Sequence, residues 1–368
     1  MTTNIYSLAV EGVQKLIPYK AGKPIEELER ELGISNIIKL ASNENPLGIG
    51  EKARAAIQNA IADLALYPDG SGFDLKNALA KKYALTSEQI TLGNGSNEIL
   101  ELVARAFVTP ENEVIFSQHA FAVYPIVTQA VGAKAVVTPA INYGHDLNAM
   151  LASVTAKTRV VFIANPNNPT GTLLKQEAVE HFISMLPNHV ICVLDEAYFE
   201  FVSQTESVDS VSWLQQFPNL IITRTFSKAY GLAGLRVGYS LSSGEIADLL
   251  NRVRQPFNNN SLALVAAKAA LNDAEHVRAT VENNALGMTQ LTDDFKELGL
   301  TWIPSAGNFV SVDLQQDGLP IYEKLLRKGV IVRPVGVYEM PNFLRISVGT
   351  QTENAKFLIA LKEVLADV

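Results

Sequence analysis

Four short runs place chemically capable residues just past apolar, β-branched segments. Ser227-Lys228 follows Leu220-Ile221-Ile222-Thr223, and Arg236 stands eight residues beyond the lysine. A lysine held in a low-dielectric cleft beside another cation gives up its proton readily and becomes a nucleophile. Asp195-Glu196-Ala197-Tyr198 follows Val190-Ile191-Cys192-Val193-Leu194. A carboxylate that ends a buried strand needs a partner or it takes up a proton. The chemistries open to it are a metal ligand, a general base, a partner for a cationic ring nitrogen, or an acid favoured by a helix N-terminus. Asn165-Pro166-Asn167-Asn168-Pro169-Thr170-Gly171 follows Arg159–Ala164, and its two prolines and glycine make a rigid turn that can direct Asn side chains outward.

The fourth run, Gly93-Asn94-Gly95-Ser96-Asn97-Glu98, leads from a strand expected at Gln89–Leu92 into a helix. A Gly-rich turn at a helix N-terminus offers backbone N–H groups to an anion. The run is not GxGxxG, because Glu98 holds the sixth position, and it is not GxxxxGK[ST]. A Walker-type nucleotide site is excluded here and a dinucleotide site is disfavoured. Taken together, the four runs specify a ligand with a phosphate, a cationic ring nitrogen, a phenolic oxygen and a carbonyl that condenses with lysine. That ligand is pyridoxal 5′-phosphate (PLP).

The elements that must position these residues follow from the apolar pattern. Runs at Glu113–Phe116, Ala135–Val137, Arg159–Ile163, Val190–Leu194 and Leu220–Thr223 are apolar on both faces, with helical stretches such as Asn97–Phe107 and Lys175–Met185 between them. Such runs predict a mainly parallel central sheet covered by helices on both faces, an α/β fold whose ligands bind beyond the carboxyl ends of the strands. The last third predicts a smaller α+β domain. It has a long helix from Ser261 to about Leu298, strands at Asn308–Val312, Gly329–Val332 and Phe343–Ser347, and a closing helix at Thr352–Leu365. The expected division is an N-terminal segment 1–40 packing with the small domain, a large domain 41–260 and a small domain 261–368. The first 40 residues read as a polar helical segment without a core of its own.

The 368 residues suit two domains, and 48 % hydrophobic against 18 % charged residues is a globular balance. A net charge of −8 disfavours a nucleic-acid binder. The lone Cys192 lies in an apolar run and reads as a buried, inert thiol, and the five histidines show no metal-ligand spacing, so no metal is expected. No apolar run approaches the 18 residues of a membrane span, and the N-terminal run lacks the pattern of a signal peptide. A cytoplasmic protein is expected.

The chain resembles the fold-type I aminotransferases of the aspartate aminotransferase superfamily. The resemblance rests on Gly95-Ser96-Asn97, Asn168-Pro169-Thr170-Gly171, Asp195-Glu196-Ala197-Tyr198, Ser227-Lys228 with Arg236, and Leu344-Arg345-Ile346-Ser347-Val348-Gly349. It is similar, more narrowly, to the histidinol-phosphate branch through Pro18-Tyr19-Lys20-Ala21-Gly22-Lys23-Pro24, Ile38 to Gly48, Tyr67-Pro68-Asp69-Gly70, Val332-Arg333-Pro334 and Met340 to Arg345.

This resemblance implies that Lys228 is the Schiff-base lysine and proton carrier. Asp195 would pair with the pyridine N–H, and Tyr198 and Asn168 would hold the phenolic oxygen. Ser96, Asn97, Thr225, Ser227 and Arg236 would bind the phosphate, with Tyr67 reaching in from a second subunit of a homodimer. Phe121 would stack on the ring, where the branch often carries tyrosine. Asn43 falls among the substrate-binding positions. Arg345 would take the carboxylate of glutamate or 2-oxoglutarate, and Arg333 and Tyr19 would receive the phosphate of histidinol phosphate. Bidentate guanidinium suits carboxylate and phosphate alike. The competing readings are an aromatic amino-acid aminotransferase, a PLP decarboxylase acting on a phosphorylated amino acid, a nucleotide-binding oxidoreductase and a non-catalytic PLP-fold binding protein.

Overall fold

Seven strands form the central sheet of this computed structural model, which describes residues 4–19, 21–203, 205–207 and 209–366. Their order is Ile90–Gly93, Gly238–Ser242, Leu220–Thr225, Ile191–Asp195, Thr158–Ala164, Glu113–Ser117 and Lys134–Thr138. All run one way except Gly238–Ser242, which is antiparallel to both its neighbours. Alternation along each strand supplies two cores. Ile115, Val161, Ile163, Cys192, Leu194, Leu220 and Ile222 face one helical layer, and Val114, Val160, Phe162, Val193 and Ile221 face the other. A mainly parallel α/β sheet, covered on both faces, is therefore present as expected. Cys192 is fully buried, and burial alone pushes its thiol up to about 12.

The strand Gly238–Ser242 has no counterpart among the sequence expectations. Its Tyr239 and Leu241 enter the core, but Ser240 and Ser242 are buried on the other face, so its composition lacks the doubly apolar signature of its neighbours.

A second sheet of four strands, ordered Thr301–Ile303, Phe309–Asp313, Phe343–Ser347 and Arg333–Pro334, is antiparallel throughout. The helices Gly318–Arg327, Ala274–Glu297 and Gln351–Ala366 pack a separate core against it through Ile321, Leu325, Leu291, Phe295, Phe357 and Leu361. The strand expected at Gly329–Val332 is shortened to Val330–Ile331, and an unexpected strand, Arg333–Pro334, follows it. Val330–Ile331 pairs in parallel with Ile38–Lys39, whereas Arg333–Pro334 pairs with Phe343–Ser347. Pro334 lacks an N–H, which suits its place on the edge of the sheet.

The single helix expected from Ser261 to Leu298 is two helices, Ser261–Ala270 and Ala274–Glu297. Asp273 leaves helical geometry between them, and its Oδ2 accepts a hydrogen bond from the Lys52 N–H at 3.4 Å. Short acceptor side chains compete with the helix in this way.

The N-terminal segment contacts two bodies. Helix Ile25–Leu32 buries Leu28 against Ala41 and Ile331 beside the second sheet. The turn Glu11–Gln14 lies instead on the helix Val123–Ala130, where Gln129 donates to the Gly12 carbonyl at 3.1 Å. Lys20, within the quoted N-terminal motif, lies outside the described residues.

Candidate active site

The carboxyl ends of four central strands converge on one cavity of about 420 Å³, closed from the other side by Ala41–Glu44, Arg333 and Arg345. Its lining contains Ser96, Asn97, Phe121, Asn168, Asp195, Tyr198, Thr225, Ser227, Lys228 and Arg236, together with Tyr19, Asn43, Arg333 and Arg345. Every candidate residue named from the sequence therefore meets here except Tyr67. The residue is 83 % exposed, and its ring stacks on Phe257 with centroids 4.8 Å apart, outside the cavity of its own chain.

One end of the cavity is an anion cradle. Helix Ser96–Phe107 begins at Gly95, and the first N–H groups of a helix have no intrahelical partner. Arg236 crosses beside it, with Nη1 donating to Ser227 Oγ at 3.2 Å and to the Ala233 carbonyl at 3.1 Å. Gly95 is required: at φ +79°, a Cβ there would lie 2.3 Å from Arg236 Nη2. Glu98, the residue that breaks the dinucleotide pattern, instead ties the loop down. Its Oε2 accepts hydrogen bonds from the Asn94 N–H and from Asn258 Nδ2 at 2.6 Å.

Asp195 closes another side of the cavity. It is 4 % exposed and accepts hydrogen bonds from Tyr124 at 2.9 Å and Thr223 at 3.0 Å. Burial raises its pKa, and these two donors together with the Ala197 N–H work in the opposite direction. Glu196 turns away from the cavity. It makes a buried ion pair with Arg224, whose Nη2 lies 2.8 Å from Oε2, and the guanidinium lies 3.6 Å above the Phe199 ring. Of the chemistries open to the adjacent acids, Glu196 thus takes a structural pairing.

Tyr198 is buried, which pushes its phenol up to about 12, and its hydroxyl accepts from Asn43 Nδ2 at 2.9 Å. Asn43 itself has φ 54°, and Ser347 and Asn308 hold it: its N–H donates to Ser347 Oγ at 2.7 Å, and Asn308 donates to its carbonyl at 3.0 Å. Lys228 Nζ donates to the Ser42 carbonyl at 3.1 Å. Burial first, and then the positive charge of Arg345, lower the lysine to about 8.

Arg345 is buried and lowered from its ordinary value by that burial. It donates to Asn168 Oδ1 and to the Ala41 carbonyl at 2.6 Å, and its Nε is buried without a hydrogen-bond partner. Arg333 is its cross-strand neighbour in the antiparallel register, and lies 5.5 Å from the centre of the Tyr19 ring.

Sequence reasoning missed Tyr124, Thr223 and Ser42 as partners. Tyr124 carries a weak signal in the run His119-Ala120-Phe121-Ala122-Val123-Tyr124, because it follows Phe121 by nearly one helical turn. The Ser42 contact is made by a backbone carbonyl and has no signature in residue type. Among the described residues, no three His, Cys, Asp or Glu side chains cluster as metal ligands do, and no helix is long and apolar enough to cross a membrane.

These groups fit PLP. The Gly95–Arg236 cradle suits a phosphate, Asp195 a cationic ring nitrogen, Tyr198 and Asn168 a phenolic oxygen, and a lysine lowered to about 8 a carbonyl carbon.

The fold and this site define a class of enzyme, and the chain belongs to the aminotransferase class I and II family, which matches residues 35–361. It is 58 % identical to histidinol-phosphate aminotransferase 2 of Pseudomonas fluorescens strain Pf0-1 over 368 residues, the whole of both chains. It is 54 % identical to histidinol-phosphate aminotransferase 1 of Idiomarina loihiensis over 98 % of each. Among solved structures it is similar to histidinol-phosphate aminotransferase from Sinorhizobium meliloti in complex with pyridoxal 5′-phosphate. That match has a TM-score of 0.89 and 30 % identity, and covers 97 % of each chain. The aspartate aminotransferase of Thermus thermophilus with maleate shares the fold, at TM-score 0.83 and 23 % identity.

Proposed function

We propose that this protein is a PLP-dependent transaminase that moves the amino group of L-histidinol phosphate to 2-oxoglutarate, giving imidazole acetol phosphate and L-glutamate in histidine biosynthesis. The observation that carries the substrate reading is the direct cross-strand pairing of Arg333 and Arg345 on one cavity wall. A guanidinium grips carboxylate and phosphate alike in bidentate fashion, so two on one wall suit substrates that carry an anion. Both amino-group donors, glutamate and histidinol phosphate, carry an anion away from the reacting nitrogen. Full-length relatives at 54–58 % identity that bear the histidinol-phosphate aminotransferase name support the same reading.

Bound PLP supplies an electron sink for the substrate Cα. The cradle of Ser96, Asn97, Thr225, Ser227 and Arg236 holds its phosphate, Phe121 covers the ring, Asp195 faces the ring nitrogen, and Tyr198 and Asn168 hold the phenolic oxygen. Lys228 Nζ, with its lowered pKa, is partly neutral near pH 8 and so would take the proton from the substrate Cα and pass it to the carbonyl carbon of the cofactor. Arg345 orients the carboxylate of glutamate or 2-oxoglutarate. Arg333 and Tyr19 receive the phosphate of histidinol phosphate. Asn43 sets the Tyr198 hydroxyl and borders the substrate.

The reading extends to a cytoplasmic homodimer in which Tyr67 of each chain completes the other's site, in keeping with its exposure beside Leu64 and Leu66. It also divides the chain into a large PLP-binding domain over 41–260 and a small domain over 261–368, with 1–40 as the N-terminal segment.

The test is transamination of histidinol phosphate, phenylalanine and tyrosine with 2-oxoglutarate, side by side. Histidinol phosphate should give the highest kcat/KM. A preference for phenylalanine or tyrosine would transfer the assignment to an aromatic amino-acid aminotransferase, and absence of turnover with all three would defeat it.

A further inference from the structure

Asp195 ends its strand with both carboxylate oxygens engaged from behind. The Tyr124 hydroxyl donates to Oδ2 at 2.9 Å and the Thr223 hydroxyl to Oδ1 at 3.0 Å. Neither donor lines the cavity, so Asp195 stands between them and any ligand there. Thr223 is also the register partner of Asp195 on the adjacent strand.

Tyr124 has little freedom. It is fully buried, stacks on Phe162 with centroids 4.6 Å apart and planes 1° from parallel, and meets Phe121 edge to face at 5.9 Å. Its N–H donates to the Phe121 carbonyl at 3.0 Å. One turn of chain thus carries both a ring that faces the cavity and the donor that reaches the carboxylate behind it. Burial pushes the Tyr124 phenol well above its usual range, so its proton stays in place and Tyr124 acts as the donor. The other ionisable groups nearest Asp195 are Glu196, turned to Arg224, and Tyr198, bonded to Asn43.

A carboxylate that must pair with a ring nitrogen has to remain charged although buried, and each hydrogen bond donated to it favours the charged form. Its oxygens accept these two bonds and retain lone pairs for a third donor. We propose that Tyr124 and Thr223 form a clamp that holds the Asp195 carboxylate in one plane and in its charged form, facing the ring nitrogen of the cofactor. Both are positioning residues that act through Asp195. This inference rests on the reading of the cavity as a PLP site.

A mutant cycle tests it. The dissociation constant of PLP for the cofactor-stripped protein, and the visible absorption of the bound cofactor against pH, are measured in wild type, Tyr124→Phe, Asp195→Asn and the double variant. Losing one hydrogen bond to a charged group should weaken PLP binding about tenfold in Tyr124→Phe. It should also move the pH at which the absorption changes. In the Asp195→Asn background the same substitution should do neither, because no charge remains to be held. Losses that add in the double variant would show that Tyr124 only packs its helix, and would overturn the clamp. PLP binding weakened by Asp195→Asn but untouched by Tyr124→Phe would also overturn it, whereas a wild-type protein that binds no PLP would defeat the cofactor reading instead. Should Tyr124→Phe fail to fold, Thr223→Val runs the same cycle from the other oxygen.

Discussion

Lys228 rests its Nζ 3.1 Å from the carbonyl oxygen of Ser42, a residue 186 positions earlier in the chain. The lysine stands just past a central strand, and Ser42 belongs to the segment that closes the cavity from the side of the second sheet. A single backbone oxygen aims the amine, and it does so without neutralising its charge. The lysine therefore keeps the lowered pKa that burial imposes. Borohydride reduction of the PLP-loaded enzyme should leave the cofactor on the peptide that contains Lys228, and Lys228→Ala should abolish turnover even where PLP still binds. Peptide mapping by mass spectrometry decides it, and cofactor fixed on another lysine would refute the assignment.

The same lowered pKa predicts a pH dependence of stability in the cofactor-free protein. The folded-state value of about 8 lies below the ordinary 10.5, so the unfolded chain binds more protons between these limits. Stability held back by the buried charge is thus recovered as pH rises from about 8 towards 10.5. Lys228→Met should raise the cofactor-free Tm at pH 7, and the advantage should shrink by pH 10. Thermal melts of both proteins across that range provide the check.

Arg333→Gln should separate the two half-reactions. Loss of one charge-assisted contact costs about 1.5–3 kcal/mol, roughly ten- to a hundredfold in kcat/KM. The loss should fall on histidinol phosphate, be much smaller for glutamate, and fade for unphosphorylated histidinol. Steady-state kinetics with the three donors measures it, and an equal loss for all three would make Arg333 a structural residue.

Gly95→Ala should strike the phosphate end alone. The added carbon would lie 2.3 Å from Arg236 Nη2 at a φ of +79°, so the guanidinium must shift in the cradle. Affinity for PLP should fall about tenfold or more, with little change for pyridoxal, which lacks the phosphate. Fluorescence titration of the stripped protein with each compound reads the difference.

Mixing Lys228→Ala chains with Tyr67→Phe chains should restore activity if Tyr67 crosses to a neighbour. A two-fold hybrid then holds one site free of both changes, and random mixing makes roughly a quarter of all sites intact. Activity recovered after refolding the mixture measures this. A monomer that is fully active at assay concentration would rule the arrangement out.

Much of the site was legible because its residues directly follow strands whose apolar runs are local features. Lys228, Asp195 and Asn168 each stand beyond a strand that can be read from a handful of consecutive residues, and the turn before Ser96 is marked by its glycines. The second sheet was less legible. Arg333 reads only as the end of the strand Gly329–Val332, but the chain changes sheets at Val332, and only pairing with Phe343–Ser347 sets Arg333 opposite Arg345. The break at Asp273 was equally hidden, because helical residues continue on both sides of it and the Lys52 N–H that it meets lies far away in sequence.

The sequence by itself determined most strands of the central sheet, what chemistry stands at their ends, and that one lysine, one aspartate and a glycine-hinged anion cradle belong together. These properties depend on side-chain type and on spacing over a few residues. Tertiary structure alone decided that Glu196 pairs with Arg224, that Tyr124 and Thr223 hold Asp195, and that Arg333 stands opposite Arg345. Each of these is a contact between distant segments, fixed by strand register and by which face of a strand a side chain takes. A shift of one residue reverses that face, so local pattern could not supply it.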